Sequence, residues 1–382
     1  MRRVFVDDLR PGMRVGRSIV DAAGRVLLTA GTVLKPRYIQ YLRQRGIAAV
    51  DILDDLAPDV VPPDVVSPQT RMALTAEIRN LGEDLRQELN RTGARSLRRW
   101  ADRSLGPLRS AVAAVVDEIV SNPQALLHMQ EIRLHDEYTW GHSVDVCILS
   151  TLMGTSLGYD VARLRELAMG AVLHDIGKVT IPESILKKPG PLTEEETAEM
   201  RQHTVRGFEI LRQSEGISLP AAHVAYQHHE RWSGGGYPRG LRGEEILEFA
   251  RVVAVADVYD AMTADRVYRK GYSPERALRN LREVVSDWFE PRMLQALVDN
   301  IAVYPVGSLV ELNTGEVAVV VSVRKGAAER PRVRIVEDAS GRRPERPREL
   351  DLERYPGLAI VRSLRDVENQ ADAGQQASPG GA

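Results

Sequence analysis

The chain carries eight histidines, and all of them fall between His128 and His229. Five sit in segments that otherwise read as protein core. His142 lies in Tyr138-Thr139-Trp140-Gly141-His142-Ser143, and His174-Asp175-Ile176-Gly177-Lys178 follows the apolar run Leu167 to Leu173. His203 lies in His203-Thr204-Val205-Arg206-Gly207, while His228-His229-Glu230 ends another apolar helix. Asp257 and Asp260 follow the apolar run Val252 to Val255. Buried imidazoles and carboxylates cost free energy unless they are paired or bound to a metal. One such His is ordinarily satisfied by a backbone carbonyl. Five, with an Asp next to one of them, point to a metal centre inside a helical domain. Imidazole and carboxylate donors without thiolate suit Fe, Mn or a di-zinc site. Two cations roughly 3.5–4 Å apart would activate water for in-line attack on phosphorus. Neighbours on a helix point about 100° apart. In His174-Asp175, one residue would then bind one cation while the other bridges to the second, and His228-His229 would behave alike. Lys178, i+3 from Asp175, falls on the same face. Its ammonium would neutralise a phosphate oxygen or protonate a leaving oxygen. It is one of only six lysines in a chain of 45 arginines.

A second feature follows directly: Trp232-Ser233-Gly234-Gly235-Gly236-Tyr237-Pro238-Arg239-Gly240. Three successive glycines break a helix and allow positive φ and close approach. Tyr237 would stack on a base, and Arg239 would pair with phosphate. Coming straight after His228-His229-Glu230, this segment is a candidate substrate loop.

The surrounding pattern supplies the elements that must hold these residues. Residues 1–56 read as a small β-rich module with a short helix from Pro36 to Gly46 and a returning strand from Ile47 to Leu53. Residues 57–107 comprise a Pro-rich linker (Pro58, Pro62, Pro63, Pro68) and an amphipathic helix. Its stripe of Leu74, Ile78, Leu81, Leu85 and Leu89 must be buried on something. A second copy in a homodimer is one partner for it, the chain's own helical domain the other. Residues 108–300 show helical periodicity without a period-2 run, so this domain is expected to be mainly α. Residues 301–365 return to β, with Asn313-Thr314-Gly315 as a hairpin turn before Val317 to Val323. Residues 366–382 read as a disordered tail.

Composition narrows the field. With 382 residues, 43% of them hydrophobic, two or three units with ordinary cores are expected. The net charge of -2 argues against a general nucleic-acid binder. No apolar run approaches the ~20 residues of a membrane span. Met1-Arg2-Arg3 reaches Asp7-Asp8 before an apolar stretch develops, unlike a secretory signal. The single cysteine, Cys147, excludes an internal disulfide and fits a reducing cytoplasm.

Taken together, His174-Asp175-Ile176-Gly177-Lys178, His203-Thr204-Val205-Arg206-Gly207, His228-His229-Glu230-Arg231-Trp232, Gly236-Tyr237-Pro238 and Ala256-Asp257-Val258-Tyr259-Asp260-Ala261-Met262-Thr263 resemble, in order and spacing, the motifs of the HD-GYP phosphohydrolases, a branch of the HD superfamily. The resemblance covers residues of about 130 to 290. Leu9-Arg10-Pro11-Gly12-Met13 and the C-terminal hairpin look like the small β modules that flank such domains. The resemblance implies hydrolysis of cyclic di-GMP to the linear dinucleotide and on to GMP, or of 3′,3′-cyclic GMP-AMP. It implies two divalent metals, Fe or Mn, held by His142, His174, Asp175, His203, His228, His229 and Asp257, with Asp175 bridging. Lys178 matches the catalytic lysine, and Asp136 an acidic position near the centre that helps orient water. Gly236, Tyr237 and Pro238 match the substrate loop, and Arg266 and Arg269 match positions contacting substrate phosphates. A cytoplasmic homodimer with signalling protein partners is the implied setting.

Two positions depart from the pattern. Ser233 stands where the family usually has Asp, which keeps a catalytically weak cyclic di-GMP receptor in view. Tyr138 stands where members with three metals have a carboxylate, so two metals are expected. His128, His135 and His223 are expected to be ordinary histidines and Cys147 a buried, inert thiol. Glu230 is expected to orient its neighbours rather than bind metal.

Overall fold

A computed structural model describes the chain except residues 21–25, 46, 48, 54–56, 93–96, 123, 127–137, 265–270 and 365–382. The N-terminal module comprises strands β1 (Arg2–Phe5), β2 (Arg14–Val15), β3 (Ile19–Val20) and β4 (Val26–Leu28), helix α1 (Pro36–Gln44) and strand β5 (Ala49–Leu53). β5 lies between β1 and β2, antiparallel to both, and β3 pairs with β4. Val4, Val15 and Val50 from the sheet meet Ile39 and Leu42 from α1 in a small core. Pro36 at the first turn of α1 presets its backbone.

The proline-rich segment that follows is packed against its neighbours rather than free. Ala57 and Val60 are buried with Val306, Val319 and Val336 of the C-terminal module. The Met1 amine donates to the Ala57 carbonyl at 3.2 Å, Arg17 pairs with Asp64 at 2.7 Å, and Arg334 pairs with Asp59 at 2.6 Å. The reading of a simple linker is corrected accordingly: its valines, not its prolines, decide where it lies.

Helices α2 (Pro68–Thr92) and α3 (Leu97–Ser121) pack on each other. Glu118 of α3 accepts hydrogen bonds from the Ser67 backbone N–H at 2.6 Å and from Ser67 Oγ at 3.0 Å, fixing the start of α2. Leu74, Ile78, Leu81 and Leu85 are at most 2% exposed, within the core shared by most of the helices that follow. The amphipathic stripe therefore covers the chain's own helical domain and is not left for a second copy.

Those helices are α4 (Tyr138–Ser156), α5 (Val161–Val172), α6 (Glu183–Leu186), α7 (Glu194–Leu211), α8 (Leu219–Gln227), α9 (Glu248–Thr263), α10 (Pro274–Glu283) and α11 (Pro291–Val298). α4 is buried around its circumference, with Val144, Val146, Cys147, Ile148 and Leu149 at 0% exposure and Asp145, Ser150 and Thr151 buried among them. A helix of that kind belongs at the centre of a bundle. α4 packs against α2, α3, α5, α9 and α11.

The C-terminal module is a five-stranded antiparallel sheet of β6 (Leu309–Leu312), β7 (Val317–Ser322), β8 (Arg332–Glu337), β9 (Arg348–Asp351) and β10 (Ile360–Ser363), in the order β10-β6-β7-β8-β9. The expected hairpin is β6–β7, with Gly315 at φ +80° in its turn. Strand periodicity sends Ala318 and Val320 into the helical core and Val317, Val319 and Val321 onto Ala57 and Val60. The mainly α architecture with flanking β modules is thus the one expected. The tail at 366–382 lies outside the described residues. Among the described residues, no helix is long and apolar enough to cross a membrane.

Because Leu85 is fully buried, Leu85→Ala should cost about 2–5 kcal/mol of stability by chemical denaturation. Its mass by light scattering should equal that of the wild-type chain. A lower mass would mean that the stripe also joins two copies.

Candidate metal centre

Four of the five expected imidazoles are held by one ring nitrogen. His174 Nδ1 lies 2.7 Å from the Ala171 carbonyl and His203 Nδ1 2.7 Å from the Met200 carbonyl. His228 Nδ1 is 3.1 Å from both the Val224 and the Ala225 carbonyls. His142 Nδ1 is 2.6 Å from Asp260 Oδ2. A carbonyl oxygen or a carboxylate only accepts, so each Nδ1 carries the proton and donates. The Nε2 atoms are thereby turned inward. The rings form a continuous chain from His142 through His174, His228 and His203 to His229, with successive centroids 4.9–5.5 Å apart.

Two carboxylates face these nitrogens. Asp175 Oδ1 lies 3.4 Å from His203 Nε2 and 3.7 Å from His228 Nε2, whereas its Oδ2 lies 3.2 Å from His174 Nε2 and 3.9 Å from His142 Nε2. One Asp thus addresses two sets of imidazoles with different oxygens. Asp257 Oδ1 is 3.0 Å from His142 Nε2. Asp175, His203, His228 and His229 converge as one group of donors, and His142, His174 and Asp175 as another. His174, His228 and Asp257 form a third, overlapping group.

This donor set fits cations. His174 Nε2 and Asp175 Oδ1 are buried and make no hydrogen bond among the described residues. His203 Nε2 and His228 Nε2 face each other at 3.5 Å although both rings carry their proton on Nδ1. Two lone pairs aimed at one another in a dry interior favour a cation between their rings' donors. Burial lowers His203 to about 4 and His229 to about 3 and depresses His228 as well, so these rings are neutral near pH 7. Burial also disfavours charge on His142, but Asp257 and Asp260 outweigh it and hold His142 well above its ordinary value. Burial pushes the Asp175 carboxyl up, and the Lys178 ammonium with His174 and His203 more than reverses this, leaving it ionised. Lys178 Nζ sits 2.6 Å from Asp175 Oδ2.

Local structure explains the placement, with one correction. His174 and Asp175 are not on a helix: α5 ends at Val172, and the pair occupies the turn before a 3-10 segment, Ile176–Thr180. Helical continuation is excluded by packing. A Cβ on Gly177 would stand 1.9 Å from the His203 carbonyl oxygen, so the backbone of this turn lies directly on α7. His228 and His229 likewise lie at and beyond the end of α8. The approximately 100° argument therefore fails, although Lys178 still reaches Asp175. A capping box of Thr193 and Glu196 starts α7, and Ser218 caps α8.

The glycine loop closes one side. Gly234 and Gly235 have φ of +89° and +78°. Gly236 is required by the loop's own backbone, since a Cβ there would lie 2.5 Å from Glu230 Cα. The buried Glu230 carboxylate accepts from the backbone N–H groups of Arg239 at 2.7 Å and Leu241 at 2.9 Å, which ties the loop to the His228-His229 turn. Tyr237, joined to Pro238 by a cis peptide bond, donates its N–H to the His229 carbonyl at 3.2 Å. The Tyr237 ring stacks on His229 with centroids 4.7 Å apart, and the Arg201 guanidinium lies over it at 4.9 Å. Both partners cover an aromatic surface expected to receive a base.

Asp136, Arg266 and Arg269 lie outside the described residues, as do His128 and His135. His223 packs on Phe208, and burial pushes the Cys147 thiol up to about 12. In the sequence Asp260 stands beside Asp257 without a role of its own, and Arg201 is not singled out at all. The signal for Asp260 was its place i+3 from Asp257, after the apolar run Val252 to Val255. Arg201 carried none beyond its place two residues before His203.

Comparison with known proteins agrees with this geometry. Residues 114–293 match the HD domain family, and residues 309–371 match the KOW domain associated with HD domain. A cyclic di-GMP phosphodiesterase of Pseudomonas aeruginosa is 38% identical over 244 residues, covering 63% of this chain and 59% of that protein. A cyclic di-GMP phosphodiesterase of Thermotoga maritima is 41% identical over 164 residues, covering 43% of this chain and 45% of that protein. The 3'3'-cGAMP-specific phosphodiesterase 2 of Vibrio cholerae is 41% identical over 129 residues, covering 34% of this chain and 25% of that protein. The chain thus spans less than two thirds of the length of each of these relatives. With its imidazoles and carboxylates gathered around His174-Asp175, and with Gly236-Tyr237-Pro238 beside them, the helical region is an HD domain of the HD-GYP family.

Proposed function

We propose that this chain hydrolyses a phosphodiester bond of cyclic di-GMP, giving the linear dinucleotide and, after a second cleavage, GMP. The observation that carries the reading is the convergence of inward-facing Nε2 atoms on the two oxygens of Asp175. The relatives' names supply the substrate class. Two divalent cations, Fe or Mn by donor type, would be held by His142, His174, His203, His228, His229, Asp257 and a shared Asp175, and when bound would supply Lewis acidity and a nucleophilic water at neutral pH.

The chain's own groups do the remainder. Asp175 stays ionised beside Lys178. Lys178, a little over a quarter exposed, keeps its ammonium where a substrate phosphate would arrive. There it would neutralise a non-bridging oxygen and hand a proton to the departing ribose oxygen. Tyr237 remains a neutral phenol, because burial and the Asp257 and Asp175 charges push its pKa up. It forms a wall of the site with Pro238 and Gly236. The family resemblance adds Arg266 and Arg269 as phosphate contacts and Asp136 as an orienter of water. The setting we propose is the cytoplasm. The homodimer we propose would use a surface other than the buried α2 stripe, and signalling partners would meet the flanking β modules.

Two specific observations support second readings. The Vibrio cholerae relative favours 3′,3′-cyclic GMP-AMP as an alternative substrate. Ser233 in place of the family's usual Asp favours a weakly catalytic receptor of cyclic di-GMP.

Anaerobically purified protein loaded with Mn or Fe is expected to convert cyclic di-GMP to the linear product by chromatography. Tight binding without turnover would establish the receptor reading instead. Asp175→Ala should abolish turnover, and a retained rate would refute the shared-carboxylate assignment. Asp260→Asn should weaken metal affinity about 10–100-fold, because it no longer fixes the His142 ring as a carboxylate does; titration with Mn checks this. Ser233→Asp should raise kcat if the serine attenuates the site, and an unchanged kcat would remove that explanation.

A further inference from the structure

We infer that helix α2, which precedes the matched HD region, is a positioning element of the metal centre: its Gly82 and Arg71 hold Trp140 and Asp145, the residues that bracket His142 on α4. Only the turnover arm of the test below rests on the proposed substrate.

His142 is the one imidazole of the cluster that α4 supplies, and it lies in the first turns of that helix. Trp140 stands two residues before it and Asp145 three residues after. Gly82 is buried in the middle of α2. A Cβ built on Gly82 would stand 2.2 Å from Trp140 Cη2 and 2.5 Å from Cζ2. The indole edge thus fills the space that any other residue would claim, which accounts for a helix-weakening glycine at this point. On the other side of His142, Asp145 is 4% exposed and pairs at short range with Arg71, itself 17% exposed. Removing one member of such a pair leaves a buried charge without its partner. The same helix also reaches the far side of the centre. α2 packs on the 3-10 turn that carries Lys178, and its Arg86 pairs with Glu183 at 3.3 Å. The start of α2 is fixed by Glu118 and continues from the packed segment that joins the two β modules.

Each contact acts on His142 through α4, not on a substrate. Truncation to the HD match alone would therefore remove part of the scaffold on which the ligand set depends. By the same route, a displacement of the N-terminal module would be felt at His142.

The test uses the full chain stripped of metal and titrated with Co²⁺, reading stoichiometry and the visible d–d band, with circular dichroism to verify folding. Gly82→Ala is expected to weaken one class of cation site about tenfold or more and to alter its band. In the loaded enzyme, kcat should fall while KM for cyclic di-GMP stays constant. Adding Trp140→Phe to Gly82→Ala, which returns the space, should restore wild-type affinity. Wild-type cobalt binding by Gly82→Ala overturns the inference, and so does a loss that Trp140→Phe fails to rescue. Should Gly82→Ala not fold, Asp145→Asn takes its place: weakened cobalt binding in a folded chain supports the role, and unchanged binding overturns it. If the wild-type chain binds cobalt normally yet does not cleave cyclic di-GMP, the proposed function fails. The positioning role is then still decided by the cobalt titration.

Discussion

The constraint on which the rest depends is that four of the five clustered imidazoles have one nitrogen already committed. Backbone carbonyls of Ala171, Met200, Val224 and Ala225, and the carboxylate of Asp260, take the Nδ1 protons. What remains for the interior is a set of lone pairs and two carboxylates. A buried polar atom without a partner costs about 1–3 kcal/mol, and His174 Nε2 and Asp175 Oδ1 are both in that position among the described residues. A fold that keeps such atoms together, in a core otherwise filled by Val, Leu and Ile, is built to bind a cation that repays their desolvation.

This constraint dictates the backbone. Carbonyls of the last turn of a helix are unsatisfied within that helix, so a His just past the end can donate back to them. His174 follows α5 and His228 follows α8, and each returns its Nδ1 proton to that last turn. The helix ends are thus part of the coordination chemistry. Gly177 lets the turn after His174 rest on the His203 carbonyl, which joins the end of α5 to the middle of α7. Glu230 does the equivalent work for the loop: its two oxygens collect the backbone N–H groups of Arg239 and Leu241. Both of its oxygens face the loop backbone, and it is not one of the residues whose donor atoms converge as metal-holding groups among the described residues.

Much of this was legible from residue type and neighbourhood. Imidazoles and aspartates embedded in apolar runs could only be explained collectively, and the runs themselves specified helices. Three things were not legible, each for a physical reason. The break before His174-Asp175 depends on a contact between Gly177 and His203, and no local periodicity encodes it. The proline-rich segment looked extended and free, because its burial rests on Val306, Val319 and Val336, over 240 residues further on. The stripe on α2 announced burial but not its partner. An amphipathic face is equally satisfied by a second chain or by its own, and only tertiary packing selects between them.

Charge bears on the proposed substrate class. Around the centre, Asp175, Asp257 and Asp260 contribute three negative charges and Lys178 one positive, once His142 has given up the proton that its two carboxylates hold on it. These side chains taken together are anionic by one charge while His142 keeps its proton and by two once it is lost, and in either state would repel a phosphodiester. The two divalent cations proposed would reverse the balance to an excess of about two positive charges, because metal binding and proton release are linked. A cyclic dinucleotide carries two phosphodiesters and so two negative charges, which a site of this sign attracts and a metal-free one does not. Binding of the anion and hydrolysis of its ester then share one requirement. The same occupancy that would activate water would make the pocket hospitable to the proposed substrate.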